Sequence, residues 1–177
     1  MVIPGIVIAI VTFPGVIVHE LAHQIFCYLC GVRVIEVKYF QIDDPCGYVI
    51  HEQTEDPGKV FMIAMGPFVI NTLLGILVIL PASIGFFAFG GIANILDWVT
   101  LWAGFSILMH AFPSTGDAKN MVEHILKNTN VGIITKVLVA PFIILVYIGA
   151  LGSVVWLDAL YAAAVAMMLP NLLVGML

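Results

Sequence analysis

Residues 19–23 read His-Glu-Leu-Ala-His. On a helix, side chains four positions apart project from one face, so His19 and His23 can bind one metal ion between them. Zinc suits the pair. It lowers the pKa of a bound water to about 7, which makes hydroxide available at neutral pH. Glu20 stands beside the two imidazoles, placed to take that water's proton. A chain of this composition would hold such a pentad roughly 0.004 times by chance, so the pattern is specific. The competing reading is a pair of packing histidines beside a protonated Glu20.

The elements that must position these residues are membrane helices. The chain has 177 residues, 62% hydrophobic and 10% charged, with a mean hydropathy of +1.14. Soluble domains carry about a quarter charged residues. No Asp, Glu, Lys or Arg occurs in 1–18, 60–96, 98–116, 137–157 or 159–177. A span needs about 20 apolar residues, so there is room for five. The 60–96 stretch is too long for one and breaks near Pro81, Gly85 and Gly90-Gly91. The first helix reads from about Pro4 to Leu29 and stops at Gly31. With no basic residue ahead of its apolar run, it reads as a retained helix and not a cleaved leader. Later spans start near Val60, Trp98, Val131 and Ala159. Between the first two, Val32, Val34, Val37 and Tyr39 alternate. The turn signal Asp43-Asp44-Pro45-Cys46-Gly47 then leads into Tyr48-Val49-Ile50, which reads as a β-hairpin. Its strand edge could pair with an unwound substrate segment.

All six basic residues, Arg33, Lys38, Lys59, Lys119, Lys127 and Lys136, fall in or beside the first and third connections. The positive-inside rule puts 32–58 and 113–130 in the cytoplasm and the N-terminus outside. Nothing resembles a basic nucleic-acid patch. Cys27, Cys30 and Cys46 are odd in number and read as packing thiols.

A catalytic zinc usually has three protein ligands and one open position. His23 lies about 12 Å from the helix end at Gly31, at 1.5 Å per residue, so the site is in the membrane towards the cytoplasmic face. The third span ends on that face at Phe112-Pro113-Ser114-Thr115-Gly116-Asp117. Asp117 is therefore the candidate third ligand; its alternative role is the N-cap of a helix over 118–128. His110, two turns earlier, is open between a fourth ligand, a transition-state hydrogen-bond donor and a packing residue. His51 and His124 lie in polar segments and read as solvated. Ala64, Gly66 and Gly75 of the second span suit close helix packing.

The sequence resembles the site-2 protease family of intramembrane zinc proteases. The likeness rests on the membrane-embedded His19-Glu20-Leu21-Ala22-His23, on Gly66-Pro67 with Asn71, and on the Pro113-to-Asp117 segment. It covers roughly residues 10–120. It implies a three-helix core, one zinc per chain bound by His19, His23 and Asp117, Glu20 as general base, and cleavage of peptide bonds in or near substrate transmembrane segments. Asn71, one position later than the family's Asn, would hold substrate backbone. Gly116 precedes Asp117 where the family has Gly after Asp, and His110 stands where an Asn is common. These departures mark a divergent, minimal member.

The expectation is thus an all-α integral membrane protein of about five transmembrane helices, with a small cytoplasmic-side β-hairpin after the first. It folds as one membrane-embedded domain over 1–177, with a catalytic core of about 1–128 and two further helices over 131–177. Expected partners are the lipid bilayer, in the cell membrane, and a membrane protein or peptide as substrate, with no nucleic acid. Two rivals stand. A zinc-binding scaffold without proteolysis would have no use for Glu20. A transporter would commonly show internal repeats, and none is visible.

Overall fold

The structure is a computed structural model and describes residues 4–176. Most of it is helical, with a single two-stranded sheet among the described residues. Helices α1 (Gly5–Val11) and α2 (Phe13–Leu29) are followed by strands β1 (Val34–Lys38) and β2 (Tyr48–His51). Helix α3 (Pro57–Ser83) runs on through a wider turn at Ile84–Ala88 and leads to α4 (Ile95–Met109). Helix α5 (Thr115–Met121) continues likewise through Val122–Leu126, and α6 (Ile133–Gly152) and α7 (Leu157–Gly175) complete the chain.

The expected single helix over Pro4–Leu29 is in fact two, bent by 91° at Thr12. Pro14 stands at the start of α2 and favours a break there. Proline cannot donate to the preceding turn, and its ring crowds the carbonyl four residues back. The backbone groups freed at the bend find partners on α4. Trp102 Nε1 donates to the Val11 carbonyl at 3.0 Å. The Ser106 hydroxyl donates to the Thr12 carbonyl at 2.7 Å and accepts the Gly15 N–H at 2.9 Å. In an apolar surrounding an unpaired peptide group costs several kcal/mol, so these contacts fix the bend.

Three helical stretches are long and apolar enough to cross a membrane: Pro57–Ala88, Ile133–Val155 and Leu157–Gly175. A fourth is possible if α1 and α2 together form one span. Helix α4 has only 15 residues, about 22 Å at 1.5 Å per residue against a hydrocarbon core of about 30 Å. The expectation of five full spans therefore exceeds what helix length alone supports. Along α6 the apolar side chains Ile133, Ile134, Val137, Leu138, Ile144 and Leu151 point outward, compatible with contact to lipid.

The core has two main parts. One packs Val60, Ala64 and Met65 of α3 against Ala118 and Met121 of α5, Ile125, and Ile143 and Val146 of α6. The other packs Ile79 of α3 against Leu108 and Met109 of α4 and Ala162 and Ala166 of α7. Helices α3 and α4 approach closely because Gly75 faces Leu108 and Gly104 faces Ile79; a Cβ on either would come within 2.7 Å of the facing residue. The hairpin forms as expected, antiparallel with Lys38 opposite Tyr48 and Val34 opposite His51, and with a bulge between Val34 and Glu36. It starts from a left-handed Gly31 (φ +63°). There Val32 N–H bonds the Cys27 carbonyl at 2.8 Å and Gly31 N–H bonds Tyr28 at 3.0 Å, the paired bonds that end a helix at glycine. All three cysteines are free thiols, with Cys27 buried against Val32 and Ile63.

Candidate metal centre

Helix α2 carries His19, Glu20 and His23. The two imidazoles stand with ring centroids 4.9 Å apart. His19 Nδ1 lies 2.7 Å from the His110 carbonyl at the end of α4. His23 Nδ1 lies 3.1 Å from the Ile63 carbonyl on α3. A carbonyl can only accept, so each Nδ1 carries the proton and each Nε2 keeps its lone pair. That is the arrangement in which a histidine serves as a metal ligand, oriented by a hydrogen bond on its other nitrogen.

Asp117 completes the group. It is carried to the site by α5, whose burial of Ala118 and Met121 against α3 fixes that short helix. One ligand atom each from His19, His23 and Asp117 lie within 4.8 Å of one another. His23 Nε2 and Asp117 Oδ2 are 3.7 Å apart, too far for a good hydrogen bond and suited to two ligands of one small ion. The carboxylate is held by Ser114, whose N–H donates to Oδ2 at 2.9 Å and whose hydroxyl donates at 2.6 Å. The Asp117 N–H donates back to Ser114 Oγ at 3.1 Å. Ser114 is therefore the N-cap of α5 and Asp117 its third residue, a reciprocal capping box. The cap alternative placed Asp117 at the N-cap itself; that place belongs to Ser114. Two nitrogens, one oriented carboxylate and an adjoining cavity fit the donor set of a catalytic zinc.

Glu20 is buried, at 9% exposure. With His19 it lines a cavity of about 740 Å³ that reaches α1, the end of α4 and the α6–α7 turn. The hairpin turn passes directly over Glu20: a Cβ on Gly47 would lie 2.8 Å from Glu20 Cγ and 3.1 Å from Val16. Cys46 lines the same wall, and burial together with the carboxylates of Asp44 and Asp43 pushes its thiol above its ordinary pKa.

The structure sets Asn71 and His110 beside these residues. Asn71 is fully buried, and its amide nitrogen lies 3.3 Å from the Gly15 carbonyl, 3.2 Å from Ile107 and 3.1 Å from His110. Its Oδ1 has no partner among the described residues. His110 shares a hydrogen bond of 2.8 Å between Nε2 and Thr12 Oγ1, and it lines the large cavity. Its carbonyl accepts from both His19 and Asn71. Sequence reasoning missed Ser114, although Ser-x-x-Asp ahead of a helix is the capping-box pattern. It also missed that His51 and His124 are only partly exposed and share a small cavity with Asp117.

Residues 12–130 match the DUF3267 family, described as "Putative zincin peptidase". The chain belongs to this family. The match covers about two thirds of the sequence, includes His19, Glu20, His23, Asn71, His110 and Asp117, and ends before α6. That description points to a zinc metallopeptidase family, with zinc as the metal. No curated protein and no solved structure matches the chain.

Proposed function

We propose that the protein is an intramembrane zinc endopeptidase of the site-2 protease type, hydrolysing peptide bonds in or near substrate transmembrane segments. The observation that carries the reading is the meeting of His19, His23 and Asp117 within 4.8 Å, beside a buried Glu20, among apolar helices. His19, His23 and Asp117 would hold the zinc. Bound there, zinc supplies a Lewis acid that acidifies a water and polarises the scissile carbonyl. Glu20 takes the proton of the attacking water and returns it to the leaving amine. The Ser114 capping box keeps the carboxylate of Asp117 aimed, and the His110 and Ile63 carbonyls keep both imidazoles turned.

In this reading the whole chain is one membrane-embedded domain, with a catalytic core of about 1–128 and the α6–α7 pair as its flank. The short α2 and α4 join the three long stretches to give five membrane helices. The loading of basic residues on the hairpin and on the α4–α6 connection supports a cytoplasmic position for the end that carries the site. A substrate helix must be unwound before its carbonyls can react, and its freed peptide groups then need partners. The two-stranded hairpin leaves an outer edge that could supply them. The cavity beneath its turn, with Glu20 and His19 on the wall, suits the extended segment.

The test is metal analysis of the purified protein combined with cleavage of model transmembrane peptides, with and without chelator. One zinc per chain, lost in the His19→Ala, His23→Ala double variant, and chelator-sensitive cleavage are expected. Glu20→Gln should keep the zinc and abolish cleavage. A Glu20→Gln protein that cleaves at the normal rate would overturn the role of Glu20. One that binds zinc normally alongside a wild type without peptidase activity would favour a scaffold.

A further inference from the structure

Two cavities adjoin the candidate site. His19 and Glu20 line the large one, and Asp117 lines a second cavity of about 110 Å³. This smaller cavity is walled by His51 at the end of β2, by Gln53 and Thr54 of the loop that follows, and by Asn120 and His124 from the α5 segment. Its inner end is closed by Val60, Ile63 and Ala64, and the carbonyl of Ile63 is the one that holds His23.

His51 Nδ1 lies 2.8 Å from the Glu52 carbonyl, and His124 Nδ1 lies 3.0 Å from the Asn120 carbonyl. Both imidazoles are therefore set like His19 and His23, with the proton on Nδ1 and a free lone pair on Nε2. His51, His124 and Asp117 thus line one small cavity. Among the described residues, however, the ligand atoms that close to within 4.8 Å are those of His19, His23 and Asp117. His51 and His124 thus suit an ion in passage and not a second resident one.

A doubly charged ion cannot cross hydrocarbon at reasonable cost. It must reach the buried ligands from water, exchanging its hydration shell for protein ligands in steps. We propose that the His51–His124 cavity is the entry route for zinc: the two histidines capture the ion at the aqueous mouth and pass it to Asp117, from which it settles between His19 and His23. This rests on the metal-centre reading above. A relay lowers the barrier between two end states and leaves both unchanged. Uptake and release must therefore speed up together, and the equilibrium affinity must stay as it is.

The experiment uses the full chain, stripped of metal, in detergent micelles. Zinc uptake is followed by stopped flow against a chromophoric indicator, and release by excess chelator. In a His51→Ala, His124→Ala double variant both rates should fall together by about tenfold, the effect of a barrier raised by about 1.4 kcal/mol. Zinc stoichiometry and affinity should be those of the wild type. The single variants His51→Gln and His124→Gln should each slow both rates by less. An unchanged uptake rate would overturn the route and leave the metal centre standing. So would slower uptake with a matching loss of affinity, because that marks a structural effect. If the wild type takes up no zinc, or the His19→Ala, His23→Ala variant takes it up fully, the metal-centre reading fails and the route fails with it.

Discussion

Gly15 is the position where one methyl group should do most damage to the site. Its Cβ would stand 2.1 Å from the Ser106 carbonyl oxygen and 2.6 Å from Cδ2 of His110. Ordinary contact begins near 3.4 Å, so α2 and α4 would have to part by more than 1 Å. The obstacle is backbone, which cannot swing aside as a side chain can. Alanine in place of glycine favours a helix by up to about 1 kcal/mol. At Gly5, where a Cβ meets nothing within 4 Å, Gly5→Ala should therefore be neutral or slightly stabilising. At Gly15 overpacking of about 1–3 kcal/mol or more outweighs that gain. His19 stands one turn beyond Gly15 on the same face and bonds the carbonyl of His110 on the opposing helix. Parting the helices pulls on that bond, and a misplacement of about 1 Å can cost about 100-fold in rate. Thermal unfolding, zinc titration and the peptide cleavage rate of Gly15→Ala, with Gly5→Ala beside it, measure these effects. A Gly15→Ala protein that melts with the wild type and binds zinc equally well would refute the reasoning, since no relaxation at the Ser106 carbonyl is cheap.

Asp117→Ala removes a proposed ligand and half of a capping box. Zinc affinity should collapse while stability falls by only about 1 kcal/mol, and Ser114→Ala should show the same stability loss with zinc affinity only modestly lowered; metal titration of the folded variants separates ligand from cap. Asn71→Leu deprives three buried carbonyls of their shared donor and should cost roughly 1–3 kcal/mol in an unfolding titration. If Asn71 instead holds substrate backbone, stability should stay and KM should rise. Glu52 N–H bonds the Arg33 carbonyl at 2.9 Å, so the next residue on β1, Val34, directs its own N–H to the outer edge. Val34→Pro or Val49→Pro should cut cleavage with zinc content unchanged if the hairpin edge holds substrate. Normal cleavage by both folded variants would exclude that role.

The residues of the candidate site were legible where their grouping depends on local spacing. His19, Glu20 and His23 are read from one helix turn, because a four-residue interval is a same-face interval in any helix. Asp117 required a long-range argument, that two connections share one side of the membrane, and its ligand atom does lie with those of the two histidines. The bend at Thr12 was not legible. Pro14 is tolerated at a helix start and in a membrane helix alike, and what decides between them is Trp102 and Ser106, some 90 positions away, waiting to pair the freed carbonyls. The short α4 was hidden for a related reason: the apolar run of 98–116 continues past the last turn of helix, and composition does not record where a helix ends.

The same limit explains Asp117 itself. From sequence, ligand and cap compete for one carboxylate. In the fold the two roles are compatible, because Ser114 donates twice to Oδ2 while a carboxylate has further lone pairs to offer. An aspartate on a flexible return from the membrane would pay an ordering cost on binding metal. Fixing it first in a capping box, on a helix anchored by Ala118 and Met121, removes that cost. Ser114→Ala should therefore weaken zinc modestly, by far less than Asp117→Ala. Equal losses in the two variants would mean that the cap, and not the carboxylate, is what the metal site needs from this turn.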